Sequence, residues 1–485
     1  MAYHINIDHK SVGASEIPLC VDLDGTLVRS DLLLESLLIL LKVKPWTLFF
    51  FPMWLLGGKE HFKTKIAEKI ELNVEDLPYN IEFLSFLSSQ RESGRTLILV
   101  TASHEKFAKR VSEHLGLFSE VFSTGNGVNL SGVNKRDLLV SRFGEKGFDY
   151  AGNARPDLEV WKAGREAILV DAPRSIRHKA ERESNVVHTF LSHPLTFRIF
   201  LRALRVHQWL KNILIFVLLF AAHRETDPIL LGKDLLAFTA FSLCASSVYI
   251  LNDLIDLSSD RKHPRKRHRP FAAGHLPIKW GLLASPVLLL LAFATGFILE
   301  SEFAIILGTY FLLTLGYSLW AKRIMILDII LLAVLYTLRI IAGGAATSIP
   351  PSFWLLSFSV FLFMALAMVK RYSELLVMKR LGQITAHGRG YHTEDFPVIL
   401  SLGTASGYAA ALILALYINS PETRALYHHP EILWSLIPIL LFWISRIWLI
   451  THRGGMHDDP VIFAIKDKAS LALLPLLGLI ILGAS

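Results

Sequence analysis

Cysteine and charged residues are scarce in this chain of 485 residues. Its two cysteines, Cys20 and Cys244, lie far apart, which excludes a framework of disulfides and suits a reducing compartment. Charged residues make up only 19% of the chain, against 52% for hydrophobic residues. Residues 1–17 lack an apolar core, so we expect no cleavable signal peptide. The net charge of +8 suits a membrane face or polyphosphate substrates, and we expect no nucleic-acid partner.

The composition changes near Pro194. Residues before it carry most of the acids and alternate polar with apolar positions, whereas residues after it form long apolar blocks. We therefore expect two domains that fold in different solvents. The predicted division is an N-terminal tail at 1–15, an α/β domain at 16–190, a linker at 191–205 and a helical membrane domain at 206–485.

An acidic stretch follows the uncharged apolar run at 238–251. Asn252, Asp256 and Asp260 are four residues apart and share one face if they are helical, with Asp253 about 100° away. Such oxygen ligands suit Mg²⁺, which binds through one or two carboxylates plus substrate phosphates. Acids at this spacing are often only a solvated face, but polar clusters at the mouth of a bilayer are usually functional. A basic cluster that can bind phosphate follows directly: Arg261, Lys262, Lys266, Arg267 and Arg269.

The pattern N-D-x-x-D-x-x-x-D in this stretch resembles the first Asp-rich motif of the UbiA family of membrane prenyltransferases. The resemblance implies that Asp253, Asp256 and Asp260 are catalytic. It also implies that they bind Mg²⁺ together with Asn252.

A second acidic motif lies near the N-terminus. The apolar run at 17–21 ends in Asp22-Leu23-Asp24-Gly25-Thr26, and a strand that ends in two acids and a glycine turn suits metal-assisted chemistry at the edge of a parallel sheet. D-x-D-G-T resembles motif I of the haloacid dehalogenase (HAD) phosphatases. By that resemblance Asp22 is the nucleophile that forms an aspartyl-phosphate, Asp24 is the general acid and base, and both bind Mg²⁺.

Further residues follow the HAD pattern in order. Thr101 ends an apolar strand and would bind the transferring phosphoryl group, and Lys135 would offset its charge. Asn153 and Asp157 stand where the fourth HAD motif has its acids, so both are candidate Mg²⁺ ligands, although Asn153 replaces an acid by a neutral amide. Taken singly, Thr101 is also typical of a strand end, Lys135 of a surface amine and Asp157 of a helix cap. Together they predict a Rossmann-like HAD domain with a helical cap at about 32–92.

The predicted cap contains an unusually apolar and aromatic segment, Trp46 to Leu56. The segment is too short to span a bilayer and contains Pro52. Two interpretations remain open from the sequence: a buried cap helix, or an interfacial element that reaches lipid, where tryptophan is favoured.

The membrane domain is predicted to have nine spans. If the N-terminal domain is cytosolic, most Lys and Arg of the loops lie on its side, and only Arg224, Lys233 and Arg424 lie opposite. We therefore expect a multi-pass protein of the cytoplasmic (inner) membrane, with the HAD domain and the Asp-rich loops in the cytosol. The predicted spans are about 209–223, 232–251, 279–299, 302–319, 326–346, 352–369, 397–418, 431–451 and 469–484.

Cations recur at the ends of these spans. Tyr317 to Arg323 resembles the Y-x-x-x-x-K-R element of UbiA proteins. Lys370, Arg371 and Glu374 stand where most UbiA prenyltransferases have a second D-x-x-x-D motif, and cations there suggest a more heavily phosphorylated ligand. Anchoring of topology is the simpler explanation of any one of these cations. Arg339 lies inside a predicted span, where a charge needs a partner or water.

A narrower resemblance links 204–212, 252–274, 317–322, 338–343 and 370–375 to the decaprenyl-phosphate phosphoribosyltransferases, a group within the UbiA family. It implies transfer of phosphoribose from phosphoribosyl pyrophosphate (PRPP) to a polyprenyl phosphate, as in arabinan precursor synthesis for the cell wall. The HAD domain would then remove the 5-phosphate from the lipid-linked product. The substrate-binding residues implied are Lys211, Asn252, Arg261, Lys262, Lys266, Arg267, Arg269, Tyr317, Lys322, Arg339, Lys370, Arg371 and Glu374.

Two other functions fit parts of the sequence. An aromatic prenyltransferase would use a polyprenyl diphosphate, but the altered second motif argues against it. A transporter with a regulatory phosphatase-like domain would suit acids in the membrane, but the Asp-rich motif has no clear second copy. A homo-oligomer is compatible with either domain.

Overall fold

The computed structural model describes residues 17–125, 127–191, 196–382, 390–456 and 459–484. The predicted tail at 1–15 and part of the predicted linker lie outside these ranges. The chain divides into two compact units. The first unit comprises Met1–Ala203 with Ile250–Ala284, and the second comprises Leu204–Tyr249 with Ser285–Ser485. The first unit therefore takes in the Asp-rich stretch.

A six-stranded parallel sheet forms the centre of the first unit, in the order β3-β2-β1-β4-β5-β6. The central strands consist almost entirely of buried apolar residues, as expected when helices cover both faces of a parallel sheet. This arrangement confirms the predicted Rossmann-like domain. The strands are β1 Leu19–Val21, β2 Leu97–His104, β3 Glu120–Thr124, β4 Asp149–Gly152, β5 Ala167–Val170 and β6 Val186–Phe190.

Helices precede and follow the strands of this sheet. Several bury one apolar stripe, as Phe107, Ala108 and Val111 do in the fifth helix. The helices are α1 Leu32–Val43, α2 Phe51–Leu56, α3 Gly58–Ala67, α4 Ile81–Glu92, α5 Glu105–Leu115, α6 Val133–Phe143, α7 Asp157–Ala163, α8 Arg174–Glu183 and α9 Phe197–Ala203.

The helices between β1 and β2 form the predicted cap. Asp31 caps α1, because its carboxylate accepts a hydrogen bond from the Leu34 backbone N–H at 3.0 Å. The apolar cap segment folds as a 3-10 turn, Pro45–Phe50, followed by α2. Trp54 is buried, but most of the other large side chains of the segment are exposed. The interpretation as a buried cap helix is therefore wrong for most of this segment.

The Asp-rich stretch is not one continuous helix. The long helix α11, Pro228–Ile255, ends just before Asp256, and the short helix α12, Leu257–Lys262, follows. The backbone N–H of Asp256 still donates to the Asn252 carbonyl at 2.9 Å, and that of Asp260 to the Asp256 carbonyl at 2.8 Å. The break nevertheless leaves Asp256 partly exposed while Asp253 and Asp260 are buried. The expectation of one uniform helical face is corrected accordingly.

The second unit is helical throughout the part that the structure describes. Seven helical segments are long and apolar enough to cross a membrane, or eight if Phe197–Ala203 and Val206–Ala221 count as one bent span. The predicted nine is therefore an approximate count, because the first span is mostly a 3-10 turn, Val206–Phe216, and the last helix has 17 residues. The remaining helices are α10 Val217–Ala221, α13 Ile278–Leu299, α14 Ser301–Leu319, α15 Leu327–Thr347, α16 Phe353–Arg380, α17 Phe396–Ile418, α18 Pro421–Leu426, α19 Leu436–His452, α20 Pro460–Lys466 and α21 Lys468–Ala484.

Gly343 permits a close contact between backbones in this helical unit. A Cβ at Gly343 on α15 would overlap the carbonyl oxygen of Ile215, whereas a Cβ at Gly316 on α14 would meet nothing within 4 Å. We predict that Gly343→Ala lowers the melting temperature of the purified protein in detergent, because backbone atoms must separate. Gly316→Ala is the matched control and should hold or raise it, since alanine favours a helix by about 1 kcal/mol. Equal melting temperatures for both variants would contradict this packing.

Candidate active sites

The first candidate site lies at the carboxyl end of β1, where Asp22 follows the strand. Lys135, from α6, donates hydrogen bonds to Asp22 Oδ1 at 2.8 Å and to the Tyr150 hydroxyl at 2.7 Å. The Tyr150 hydroxyl in turn donates to Asp157 Oδ1 at 2.8 Å. Asp22, Lys135 and Asp157 are all buried. The structure thus brings together three of the predicted residues and adds Tyr150, which the sequence analysis missed because a tyrosine within a strand reads as core.

Asp24 is held by two hydrogen bonds. The backbone N–H of Leu32 donates to its Oδ1 at 2.8 Å, and the Ser103 hydroxyl donates to its Oδ2 at 2.6 Å. Ser103 was not predicted. The hydroxyl of Thr101 is buried near this edge and accepts a hydrogen bond from the Ser103 backbone N–H at 3.0 Å. Gly25 turns the chain after Asp24 with φ of 76°, in the region that favours glycine.

Asn153 has a buried side-chain oxygen that is suited to bind a metal ion. Asp157 Oδ2 accepts hydrogen bonds from the backbone N–H groups of Asn153 and Ala154 at 3.0 and 2.9 Å. Within the described part of the chain, the buried Asn153 Oδ1 has no hydrogen-bond partner. No group of three or more His, Cys, Asp or Glu side chains that could hold a metal ion occurs among the described residues. The donors nevertheless fit Mg²⁺ bound through few protein oxygens and a substrate phosphate.

Burial sets the proton affinities of the site. It raises the pKa of Asp22 to about 6, against the opposing charge of Lys135. Burial, with the nearby charges of Asp31 and Asp22, raises the pKa of Asp24 to about 7. Burial alone would lower the pKa of Lys135, but the carboxylates of Asp22 and Asp157 outweigh it and raise that pKa. Near neutral pH, the site can therefore combine a charged Lys135, an ionised Asp22 and a protonated Asp24.

The Asp-rich stretch forms the second candidate site. Arg269 Nη1 lies 3.1 Å from Asp253 Oδ1 and 2.5 Å from Asp260 Oδ2, so two buried carboxylates converge on one cationic atom. Asp256 forms an ion pair with Lys42 of α1 at 2.8 Å. Two carboxylates that already share a cation suit Mg²⁺ when substrate phosphates supply the other ligands.

A buried ion pair ties this stretch to the cap. Arg261 donates from Nη1 and Nη2 to the two carboxylate oxygens of Glu35 on α1, at 2.9 and 2.6 Å. The side chains of Arg261 and Glu35 are 7% and 3% exposed, so this is a desolvated bidentate pair. Lys262 pairs with Asp76 at 3.2 Å, and Lys266 and Arg267 are exposed. A role for Arg261 in substrate binding stays a prediction.

In the second unit, two predicted lysines meet one carboxylate. Lys211 Nζ lies 2.7 Å and Lys370 Nζ 3.4 Å from Asp459 Oδ2, and the Tyr336 hydroxyl donates to Asp459 Oδ1 at 3.2 Å. Burial alone would raise the pKa of Asp459, but the two lysines hold it well below its usual range. The sequence analysis missed Asp459, because an aspartate before a proline reads as a helix cap.

Arg339 and Arg371 are both buried and paired. Arg339 donates to Asn212 Oδ1 at 2.8 Å and to the Tyr310 hydroxyl at 3.0 Å, which meets the expectation that an intramembrane charge needs a partner. Arg371 contacts three groups: Asp328 at 2.5 Å, Glu374 at 2.6 Å and the Tyr317 hydroxyl at 2.9 Å. Lys322 is half-buried.

The sequence model of the UbiA prenyltransferase family matches residues 213–465. The chain belongs to this family. The uncharacterized protein y4nM of Sinorhizobium fredii is 37% identical over 94% of this chain and 88% of its own length. This UbiA protein also resembles the decaprenyl-phosphate phosphoribosyltransferase of Mycobacterium tuberculosis (strain ATCC 25618 / H37Rv), with 31% identity over 59% of the chain and 93% of that enzyme.

Solved structures resemble each part of the UbiA protein at low identity. A UbiA homologue from Archaeoglobus fulgidus bound to GPP and Mg²⁺ is 18% identical, with a TM-score of 0.44, over 57% of this chain and 99% of its own. A probable phosphoserine phosphatase from Vibrio cholerae is 13% identical, with a TM-score of 0.26, over 35% of this chain and 60% of its own. With seven apolar helical segments among its described residues, the UbiA protein is a multi-span membrane protein.

The raised pKa of Asp24 makes a prediction about stability. The folded state holds this proton up to about pH 7, whereas an unfolded aspartate loses it near pH 4. Asp24 therefore favours folding most at acid pH, and this stabilisation is lost as pH rises through about 7. With a metal chelator present, we expect the melting temperature of the purified protein to fall as the pH rises from about 5 to about 8. Asp24→Asn should flatten that fall, while the exposed Asp137→Asn should leave it unchanged.

The buried Glu35–Arg261 pair leads to another prediction about stability. Glu35→Gln alone should cost about 3–5 kcal/mol, because it leaves a buried guanidinium without its countercharge. The double variant Glu35→Leu/Arg261→Met should recover most of this loss, since apolar groups of similar volume replace such pairs well. Chemical unfolding of the purified protein measures all three free energies. A double variant as unstable as the sum of the single variants Glu35→Leu and Arg261→Met would contradict the buried pair.

Proposed function

We propose that this UbiA protein transfers phosphoribose from PRPP to a polyprenyl phosphate and then removes the 5-phosphate of the lipid-linked product. The name of the mycobacterial relative, decaprenyl-phosphate phosphoribosyltransferase, supports the first step. The observation that carries the proposal is the convergence of Asp253 and Asp260 on a single cationic atom, beside further cations. This arrangement suits a diphosphate, which needs paired negative ligands for a metal and positive side chains for its remaining charge.

In the transferase reaction, an oxygen of the polyprenyl phosphate attacks C1 of the ribose, and the bond from C1 to pyrophosphate breaks. Mg²⁺ bound by the Asp-rich stretch would stabilise the negative charge of the leaving pyrophosphate. Arg269 lies at these carboxylates and is placed to bind the same phosphates. Predicted ligands in this part are Asn252, Asp253, Asp256 and Asp260.

The second unit contains its own candidate phosphate ligands, Lys211 and Lys370. Lys211 and Lys370 both contact Asp459, at 2.7 and 3.4 Å, so this carboxylate holds their side-chain nitrogens close together. A phosphate group can replace the carboxylate as their partner, because it offers more acceptor oxygens and more negative charge. Arg339 and Arg371 are already held by neighbouring side chains, so they are oriented before a substrate arrives.

In the phosphatase reaction, Asp22 attacks phosphorus and the bond to the ribose 5-oxygen breaks. Asp24 gives its proton to that oxygen, and its pKa of about 7 allows it to be protonated at neutral pH. Water then attacks the aspartyl-phosphate, with Asp24 as the base, and phosphate leaves. Lys135 offsets the charge of Asp22 and the phosphoryl group, and Asn153 would complete the Mg²⁺ ligands with its unpaired oxygen. Both reactions are placed at the cytosolic face of the cytoplasmic membrane, following the charge asymmetry of the loops.

A labelled-substrate assay tests the two steps separately. Membranes with wild-type protein, Mg²⁺, polyprenyl phosphate and PRPP labelled in the ribose should yield lipid-linked ribose. Asp22→Asn should accumulate lipid-linked phosphoribose, and Asp260→Asn should put no label into lipid. Asp227→Asn is the matched control and should behave as wild type. Asp227 is a half-buried carboxylate that lies 3.3 Å from Arg224 and accepts a hydrogen bond from the Ile229 backbone N–H at 3.0 Å.

Two outcomes would overturn parts of this proposal. If no label enters lipid even with wild-type protein, the PRPP assignment falls, and a polyprenyl diphosphate with an aromatic acceptor becomes the substrate pair to assay. If wild type and Asp22→Asn both stop at lipid-linked phosphoribose, the phosphatase assignment falls.

A further inference from the structure

The apolar cap segment, Trp46 to Leu56, presents large hydrophobic side chains to solvent in the first unit. Six of them are between 54% and 90% exposed: Trp46, Leu48, Phe49, Met53, Leu55 and Leu56. Soluble surfaces rarely expose so many large apolar side chains together, and such a patch normally marks an interaction surface.

The segment is fixed in place by its other side chains. Trp54 is buried, and Phe51 packs its ring edge-on against Phe62 of α3 with centroids 5.5 Å apart. The Thr47 hydroxyl donates to the Lys44 carbonyl at 2.7 Å and closes the turn. These contacts fix the backbone of the segment, so its other apolar side chains stay exposed to solvent.

Charge distinguishes the possible occupants of this surface. Lys42, Lys44 and Lys59 are the charged residues between Glu35 and Glu60, so no acid occurs over this stretch. A second copy of the chain would bring like charges together at a shared interface. An anionic bilayer surface offers both the complementary charge and an apolar layer, and tryptophan is favoured at that depth.

We propose that the apolar cap segment binds the surface of the membrane, with its apolar side chains in the interfacial layer and the flanking Lys44 and Lys59 at anionic headgroups. The chain's own spans keep the segment near a bilayer, so a modest affinity suffices. The segment is too short to cross hydrocarbon and matches an interfacial element in length and composition.

The next helix connects this surface to the phosphatase-like site. Helix α3 begins two residues after Leu56 and carries Lys63, which donates to the Ala102 carbonyl at 2.6 Å and to Asn129 Oδ1 at 2.7 Å. Lys63 and Ser103 line one cavity between the cap and the sheet, and Ser103 contacts Asp24. Seven helical residues rise only about 10 Å, so this site would lie close to the membrane surface and to a lipid-linked phosphate. This last step rests on the proposed function.

Site-directed spin labelling tests the membrane contact independently of any activity. Both native cysteines are buried, so a nitroxide on Phe49→Cys can be attached selectively to the full-length protein in vesicles of phosphatidylcholine and phosphatidylglycerol. The label should be more accessible to oxygen than to a water-soluble nickel chelate. Ile81→Cys on α4, also exposed and apolar, is the control and should show the reverse. Equal nickel accessibility at both positions, or spin–spin broadening between two copies, would overturn the proposal.

An activity comparison tests the link to the phosphatase-like site. Phe49→Ser/Leu56→Ser should lower hydrolysis of a lipid-linked phosphomonoester in vesicles by about tenfold or more, because two interfacial anchors are lost. Hydrolysis of a small water-soluble phosphomonoester should not change. An equal effect on both substrates would overturn the link. If wild-type protein hydrolyses neither substrate, the proposed phosphatase function fails, while the nitroxide result still decides the membrane contact.

Discussion

Several buried carboxylates in this protein are paired with cationic side chains from other elements of the fold. Lys135 contacts Asp22, Arg269 contacts Asp253 and Asp260, and Arg371 contacts Asp328. An ionised carboxylate without such a partner would cost several kcal/mol on burial. The pairs at Asp22, Asp253 and Asp260 also fix the side chains of the two candidate sites. The contacts that make these carboxylates tolerable in the folded protein therefore also position the groups that would react or bind metal.

Much of the first site was predictable from sequence. Parallel strands end at one edge of a sheet, so Asp22, Thr101 and Asp157, each read from a motif after a strand, had to lie near one another. Tyr150 and Ser103 carried no such signal, because a hydroxyl in or after a strand has many ordinary roles. The raised pKa of Asp24 could not be read from the motif either, since it depends on burial by residues that fold around it.

The helical region was less predictable in detail. Hydropathy indicated the spans, but it does not distinguish the 3-10 segment Val206–Phe216 from an α-helix. The break in the helix before Asp256 is not marked by a proline or a glycine in the sequence. The partners of the predicted cations could not be identified from the sequence, for a different reason. Asp459 lies 248 residues from Lys211, and Glu35 lies 226 residues from Arg261, so no local pattern links them.

The pairing of Glu35 with Arg261 bears on how such a chain can evolve. The family match covers residues 213–465, and Arg261 lies within it, yet its countercharge comes from the cap near the N-terminus. The mycobacterial relative aligns over 289 residues that make up 93% of its length, which leaves no room for a domain of this size. A chain that begins at the family match would lack both Glu35 and helix α1, so Arg261 would lose its countercharge and become more exposed to water. Separation of the two halves would therefore change the surroundings of a residue within the family match.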